Sequence, residues 1–588
     1  MADTSLGDRL GPVLDGLTAL ADGPDAAELA ELRGRLAAQR FRLLVVGEAK
    51  RGKSTLINAL LGRPLLPSGV TPVTALPTEL RYGQTEQLVV SYLDGTSAHR
   101  PLADLPRFVT EQHNPGNVLE VARVTAYLPA PALADGVEIV DTPGTGSVFA
   151  HNTTEATAVL STMDAAVLVL SADPPLSGSE RDLLQRVHER SVALFVALNK
   201  VERLRADERD EALEFVRKHL ADAVAGDPIA VYPLSARDAL TARAGRDAAG
   251  LADSGLPALE RDLYGYLDTH RIADLHRSLA RHADRIAAQL TDAAALTLRS
   301  AELTTRQDGD RVARFRRQVS ALDHHAADAA AIVTAGTELV LATLNRAAPQ
   351  DTLEATRTLR ADLTGWWEGR EVTALPPARY EDAGREYLVE QIRSVVDGWR
   401  IQWENTATAE LRELDERLTA ALEERLAAVR DTARDELGLS LALPMPAESL
   451  LPQVDVDLAF GAEVGMTVAV GDTVRRHLMP GQLGRTMARR HLLDELDILV
   501  GKQFGRTRSA LQDAITTASR QLRALARRRA EDAVSGLVAA LDAANAMAEA
   551  SDADDQRRAL LDRIERLRAL RAELVRIVEV SDVASGRR

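Results

Sequence analysis

Gly47, Gly52, Lys53 and Ser54 stand at the spacing GxxxxGK[ST] within Gly47-Glu48-Ala49-Lys50-Arg51-Gly52-Lys53-Ser54. That spacing binds phosphate: glycines let successive backbone N–H groups curl around an anion, and a following helix N-terminus adds a positive dipole. Lys53 is placed to reach the β- and γ-phosphates and the Ser54 hydroxyl to ligate Mg²⁺, with Thr55 next on the helix. Three later groups complete the chemistry. In Asp141-Thr142-Pro143-Gly144 the carboxylate can hold the Mg²⁺ shell through water, and the Gly144 N–H can bind the γ-phosphate. In Asn199-Lys200-Val201-Glu202 the amide can meet a base edge, the lysine stem can lie along the ring, and Glu202 can accept from guanine N1–H and N2–H₂. In Ser235-Ala236-Arg237 the Ala236 N–H can meet guanine O6.

Lysine usage points to the same places. Of 71 Lys and Arg only five are Lys, at positions 50, 53, 200, 218 and 502. A chain that otherwise writes Arg has kept the compact ammonium at Lys53 and Lys200, where a guanidinium fork would change the geometry.

These groups need a sheet to bring them together. FRLLVV (41–46), EQLVVSYL (86–93), GVEIVD (136–141), AAVLVLSA (165–172), VALFVAL (192–198) and IAVYPL (229–234) read as strands separated by amphipathic helices. That predicts an α/β domain with a mainly parallel sheet. The motifs all sit at strand carboxyl ends, so they share one crevice. Residues 5–38 read as two short helices broken at Gly23-Pro24. From residue 256 strand signals cease and long helices are expected over 256–305, 308–347, 379–437, 484–549 and 553–580. The helix 484–549 alone would span roughly 100 Å, which implies an elongated bundle or stalk. The expected division is 1–38 N-terminal helices joining the bundle, 39–255 nucleotide-binding domain and 256–588 helical bundle.

Composition narrows the alternatives. A net charge of −16 argues against a global nucleic-acid surface, and the absence of cysteine excludes disulfide scaffolds, cysteine zinc sites and thiol catalysis. Aromatics at 3% suit close-packed helices. The longest run free of Asp, Glu, Lys and Arg is Pro64–Thr78, with four prolines, against the about 20 apolar residues that a spanning helix needs. With no leader segment at residues 1–10, the expectation is a cytoplasmic protein, peripheral at the inner face of the cell membrane.

With GEAKRGKST, LINALLGRPLLPSGVTPVT, DTPG, NKVE and LSAR in this order, the chain resembles the dynamin-like large GTPases, especially bacterial members related to mitofusin. The motif resemblance covers about residues 40–240. It implies GTP hydrolysis to GDP and phosphate with Mg²⁺, heads that pair across the nucleotide, and a helical bundle that acts at a membrane. LLPSGVTPVT matches the family's first switch, which puts the switch threonine at Thr74, with Thr71 the alternative. Thr74 then joins Ser54 and Asp141 around the metal. Two residues depart from the pattern: Glu202 stands where the family usually has Asp, and Ala49 where eukaryotic dynamins carry a water-orienting Gln. Lys50 stands where the related guanylate-binding proteins carry an arginine finger, so it is a candidate for the transition-state charge that K⁺ otherwise supplies. The implied partners are a second copy, a second dynamin-like protein and anionic lipid. A nucleotide-gated scaffold that never remodels lipid, and an adenine-specific member of the superfamily, stay open as alternatives.

Residues 438–491 hold four of the seven methionines, and Val464–His491 carries five Arg against one acid. A soft, apolar, basic segment midway along the far bundle fits either a membrane-facing tip or a bundle turn capped by Arg. Trp366, Trp367, Trp399 and Trp403 occupy one window and read as bundle core.

Overall fold

The computed structural model describes residues 2–48, 50–67, 76–110, 112–142, 162–172, 176, 178–190, 193–223, 229–305, 309–369, 377–441, 443, 454, 456, 481–550 and 552–584. The expected sites Ala49, Thr71, Thr74 and Gly144 and most of the 438–491 segment lie outside these residues.

Two helices come first, α1 (Ala2–Thr18) and α2 (Gly23–Ala37). Nine strands follow among the described residues: β1 (Phe41–Val46), β2 (Thr78–Tyr82), β3 (Gln87–Tyr92), β4 (Ser97–Arg100), β5 (Val121–Leu128), β6 (Val137–Asp141), β7 (Ala165–Ser171), β8 (Ala193–Asn199) and β9 (Val231–Leu234). Between them lie α3 (Lys53–Leu61), α4 (Leu105–Val109), α5 (Gly178–Arg190) and α6 (Ala206–Ala223). After β9 come α7 (Ala236–Gly245), α8 (Ala248–Asp253), α9 (Leu256–Thr305), α10 (Gly309–Glu368), α11 (Pro377–Thr432), α12 (Gly481–Glu549) and α13 (Ala553–Ala584).

The strands form one mostly parallel sheet in the order β4-β3-β5-β2-β6-β1-β7-β8-β9. The run β6-β1-β7-β8-β9 is wholly parallel. β1 and β7 are buried along their whole length, as expected of near-continuous apolar strands covered on both faces. β2, β4 and β5 have no counterpart among the strands expected from sequence.

A buried charge network explains why two of them escaped notice. Arg42 Nε donates to Glu138 Oε1 at 2.9 Å and Arg81 Nε to Glu138 Oε2 at 2.9 Å, while Arg81 also pairs with Glu79 and Arg42 with Glu31. Burial opposes ionisation of Glu138, but Arg42 and Arg81 hold its carboxyl below the usual range. The balance is the same at Glu31, which Arg42 and Arg123 draw down to about 2 against burial.

The chain divides into two compact units. The first is Met1–Asp328 with Thr419–Leu450 and Leu525–Arg588, the second Ala329–Leu418 with Leu451–Ala524. In the first, α1 lays its stripe Leu6, Leu10, Leu14 and Leu17 into the core shared with α9 and α13, and Arg9 pairs with Glu573 at 2.6 Å. In the second, parts of α10, α11 and α12 pack together. Thr337 Oγ1 donates to Ser519 Oγ at 2.6 Å, and Trp399 meets Phe504 with ring centroids 4.8 Å apart. Trp367, Trp399 and Trp403 are buried, as expected of core residues, and Trp366 stacks on Tyr387.

The expected break after residue 347 is absent, because α10 runs through Pro349 to Glu368. This helix holds an 18-residue window of mean hydropathy 1.4 with no more than two charges, long and apolar enough to cross a membrane by length and composition. Only 28% of that window is buried, and Leu339 within α10 is 66% exposed.

Candidate functional site

The parallel strands bring the motifs to one edge. β1 ends at Val46 and delivers Gly47, β6 ends on Asp141, and β8 ends on Asn199. Two glycines are required by geometry. Gly47 has φ +149° and an added Cβ would lie 2.4 Å from the Val169 carbonyl oxygen. Gly52 has φ +98° and a Cβ there would lie 2.3 Å from Asn199 Nδ2. Neither neighbour can move without breaking the sheet or the contact described next.

Asn199 ties three motifs together. Its Nδ2 donates to Arg51 O at 2.9 Å, and its Oδ1 accepts from the Ala236 N–H at 3.0 Å. Lys200, in a left-handed conformation with φ +67°, donates from Nζ to Lys50 O. Lys50 is itself left-handed at φ +63°. The phosphate loop, the base-edge residues and the last motif therefore form one connected surface. Ser235 serves it indirectly: its Oγ accepts from Asp238 N at 3.2 Å and caps α7.

At the head of α3, Lys53 is buried and its Nζ donates to Gly47 O at 2.9 Å and Glu48 O at 3.0 Å. Burial pushes its ammonium down to about 8, against the pull of Asp141, Glu48 and Glu180. Ser54 Oγ donates to Asp141 Oδ2 at 2.8 Å, so hydroxyl and carboxylate already share the place a hard cation would take. Among the described residues no group of three or more His, Asp or Glu could hold a metal. Thr55 lies in the first turn of α3.

Glu202 follows Lys200 at the crevice and is 15% exposed. Its Oε1 lies 3.7 Å from Arg237 Nη2, and its Oε2 is buried with no hydrogen-bond partner. An unsatisfied buried carboxylate oxygen is costly to leave alone, and the paired N–H donors of guanine would satisfy it.

Sequence reasoning missed two residues. Glu180, wholly buried in the first turn of α5, forms an ion pair with Arg51, whose Nη2 donates to Glu180 Oε2 at 3.1 Å and to Glu48 Oε2 at 2.8 Å. Asn58, wholly buried in α3, accepts from the Leu65 and Leu66 N–H groups and donates to Leu66 O. It fixes the segment that leads toward Thr71 and Thr74. Neither residue belongs to a spacing motif; each is defined by contacts made in the folded chain.

Comparison with known proteins identifies the head. Residues 43–201 match the model of the dynamin family. An uncharacterized protein of Caldicellulosiruptor is 34% identical over 236 residues, which is 40% of this chain and 59% of that one. A probable transmembrane GTPase, FZO-like, of Arabidopsis thaliana chloroplasts is 32% identical, covering 46% of this chain and 28% of its own. A bacterial dynamin-like protein of Nostoc punctiforme is 32% identical, covering 41% and 39%. The match thus spans from about a quarter to somewhat over half of the length of these relatives.

Proposed function

This chain belongs through its head to the dynamin family, and from that premise we propose that it binds GTP with Mg²⁺ and hydrolyses it to GDP and phosphate. Lys53 bridges the β- and γ-phosphates, and Ser54 and Asp141 hold Mg²⁺, which neutralises phosphate charge. Asn199, Lys200, Glu202 and Ala236 grip the base. Thr74 closes onto the metal and the attacking water in the triphosphate state, and Gly144 meets the γ-phosphate. Heads pair across the nucleotide, and the long helices carry that closure to a membrane. The basic stretch Val464–His491 within the 438–491 segment and the apolar window of α10 are the parts suited to touch anionic lipid.

One observation carries the reading: the buried, unsatisfied Glu202 Oε2 beside the Asn199–Ala236 contact. Guanine offers a carboxylate two donors, whereas adenine offers an acceptor at N1. Losing a charge-assisted pair costs on the order of 1.5–3 kcal/mol, so GTP should displace a bound probe at least about tenfold better than ATP. Glu202→Gln should shift preference toward xanthosine triphosphate, which carries a carbonyl where guanine carries an amine. Equal displacement by ATP and GTP would overturn the guanine reading.

Lys50 is the residue we propose for the transition-state charge: it stands in a left-handed turn of the loop at φ +63°, next to Arg51, which pairs with Glu48 and Glu180. Lys50→Ala should lower turnover about 10²-fold or more with little change in nucleotide affinity, and wild-type turnover should be insensitive to K⁺. Unchanged turnover in the variant, or strong K⁺ dependence in the wild type, would sink this assignment.

A further inference from the structure

α3 is a nine-residue helix whose two ends have different neighbours. Its N-terminus presents Lys53 and Ser54 to the phosphates. Its C-terminus, about 13 Å away, presents backbone carbonyls that have no partner inside the helix. Arg243, in the last turn of α7, reaches these carbonyls: its Nη1 donates to Ala59 O at 2.5 Å and to Leu60 O at 3.0 Å. A cation there complements both the lone pairs and the negative end of the helix dipole.

The other branch of the same guanidinium points elsewhere. Arg243 Nη2 donates to both carboxylate oxygens of Glu260, at 2.5 and 2.6 Å. Glu260 lies in the second turn of α9, the helix by which the chain leaves the head. A cavity of about 720 Å³ lies beside this junction, lined among others by Leu60, Leu61, Tyr264, Leu267 and Arg271. α3 and α9 both feed one apolar core, through Leu56, Leu60 and Leu61 on one side and Leu256, Leu259 and Leu263 on the other, and the polar bridge adds a direct charged link between them beside the cavity.

We propose that Arg243 is the positioning residue that couples the phosphate-binding helix to α9, acting through its bidentate pair with Glu260. The proposal rests on the nucleotide-site reading above. α7 itself begins at Ser235-Ala236, so the arm that carries Arg243 is anchored to the base end of the crevice as well. A shift of α3 or α7 on nucleotide binding then pulls on Glu260 directly, and the cavity gives α9 room to follow. Because coupling is reciprocal, weakening the bridge uncouples α9 from the nucleotide in both directions.

Hydrogen exchange over residues 256–270 of the full chain, with and without a slowly hydrolysed GTP analogue, tests this. In the wild type the analogue should change exchange there. In Arg243→Ala and in Glu260→Gln that change should fall at least about fivefold, while nucleotide affinity falls far less. Arg243→Lys, which offers a single ammonium in place of the fork, should retain part of the coupling. Glu260→Gln leaves the carbonyl caps of α3 in place, so it carries the test if Arg243→Ala does not fold. A full nucleotide-dependent change in Glu260→Gln, or a wild type that binds the analogue and shows no change at 256–270, would overturn the proposal. A wild type that fails to bind the analogue would instead overturn the nucleotide reading on which it rests.

Discussion

Lys53→Ala should abolish nucleotide binding. The substitution removes the charge that meets the β- and γ-phosphates, whereas the loop keeps Gly47 and Gly52 and the Asn199 contact to Arg51 O. The fold should therefore survive, and the loss should be read by titration with a fluorescent GTP analogue. A deeply buried ammonium also predicts a pH signature. Burial pushes Lys53 down to about 8, and phosphate oxygens would raise it again. Binding above pH 8 should accordingly take up a proton and weaken as pH rises. The sign for stability is opposite: the cost of burying the charged ammonium is fully present below pH 8 and is relieved between about 8 and its unfolded value near 10.4. Near-native affinity in Lys53→Ala, or affinity independent of pH between 7 and 9.5, would show that Lys53 does not carry the phosphate.

Asp164→Ala should be the most destabilising single change in the head. Asp164 is wholly buried just before β7 and accepts from Arg35 Nη2 of α2 at 2.5 Å and from the Arg42 N–H of β1 at 2.7 Å. Burial pushes its carboxyl up, against the pull of Arg35. Removing it strands a guanidinium that is 1% exposed, and breaking a buried pair in this way costs about 3–5 kcal/mol. All four tryptophans lie in the other compact unit, which gives the measurement an internal control. Amide exchange in β1 and β7 should speed up by the equivalent of that cost, while the denaturant midpoint from tryptophan fluorescence should move much less. A loss below about 1 kcal/mol in β1 and β7 would mean that the pair is no better than an exposed one.

What the sequence made legible, and what it hid, follows from whether the signal was local. β1, β6 and β8 are short, mostly apolar runs that lead into Gly47, Asp141 and Asn199, so both strand and site could be read from one stretch of chain. β2 (TELRY) carries Glu79 and Arg81, which look like solvated positions until Glu138 and Arg42 close around them, while Arg123 of β5 (VARVTAYL) stays exposed and pairs with Glu31 and Glu79. The site divides in the same way. Lys53, Ser54, Asp141 and Asn199 announce themselves by spacing, and the folded chain places Ser54 on Asp141 and Asn199 on Ala236. Glu180, Asn58 and Arg243 become visible only through partners distant in sequence or through the shape of a turn. α10 runs on past Pro349 for a related reason. A proline removes one hydrogen bond, which ends a helix in isolation, yet α10 continues because Ala348, Ala355 and Leu359 are buried in the bundle on either side.

The pairing of Arg9 with Glu573 joins residues 564 positions apart. At about 5–20 residues per second, a ribosome needs roughly 30–110 s to travel from one to the other. For that interval α1 has α2 and, once made, α9 to pack on but lacks α13, so the cover of Leu6, Leu10, Leu14 and Leu17 is incomplete. The nucleotide-binding sheet can be complete long before, since its last strand ends at Leu234. Biogenesis therefore has two stages set by chain order: a head able to take nucleotide early, and a helical junction that closes only when residue 573 emerges. A nascent or prematurely terminated chain would present a partly covered leucine stripe beside the head, which is the kind of surface that chaperones and proteases recognise.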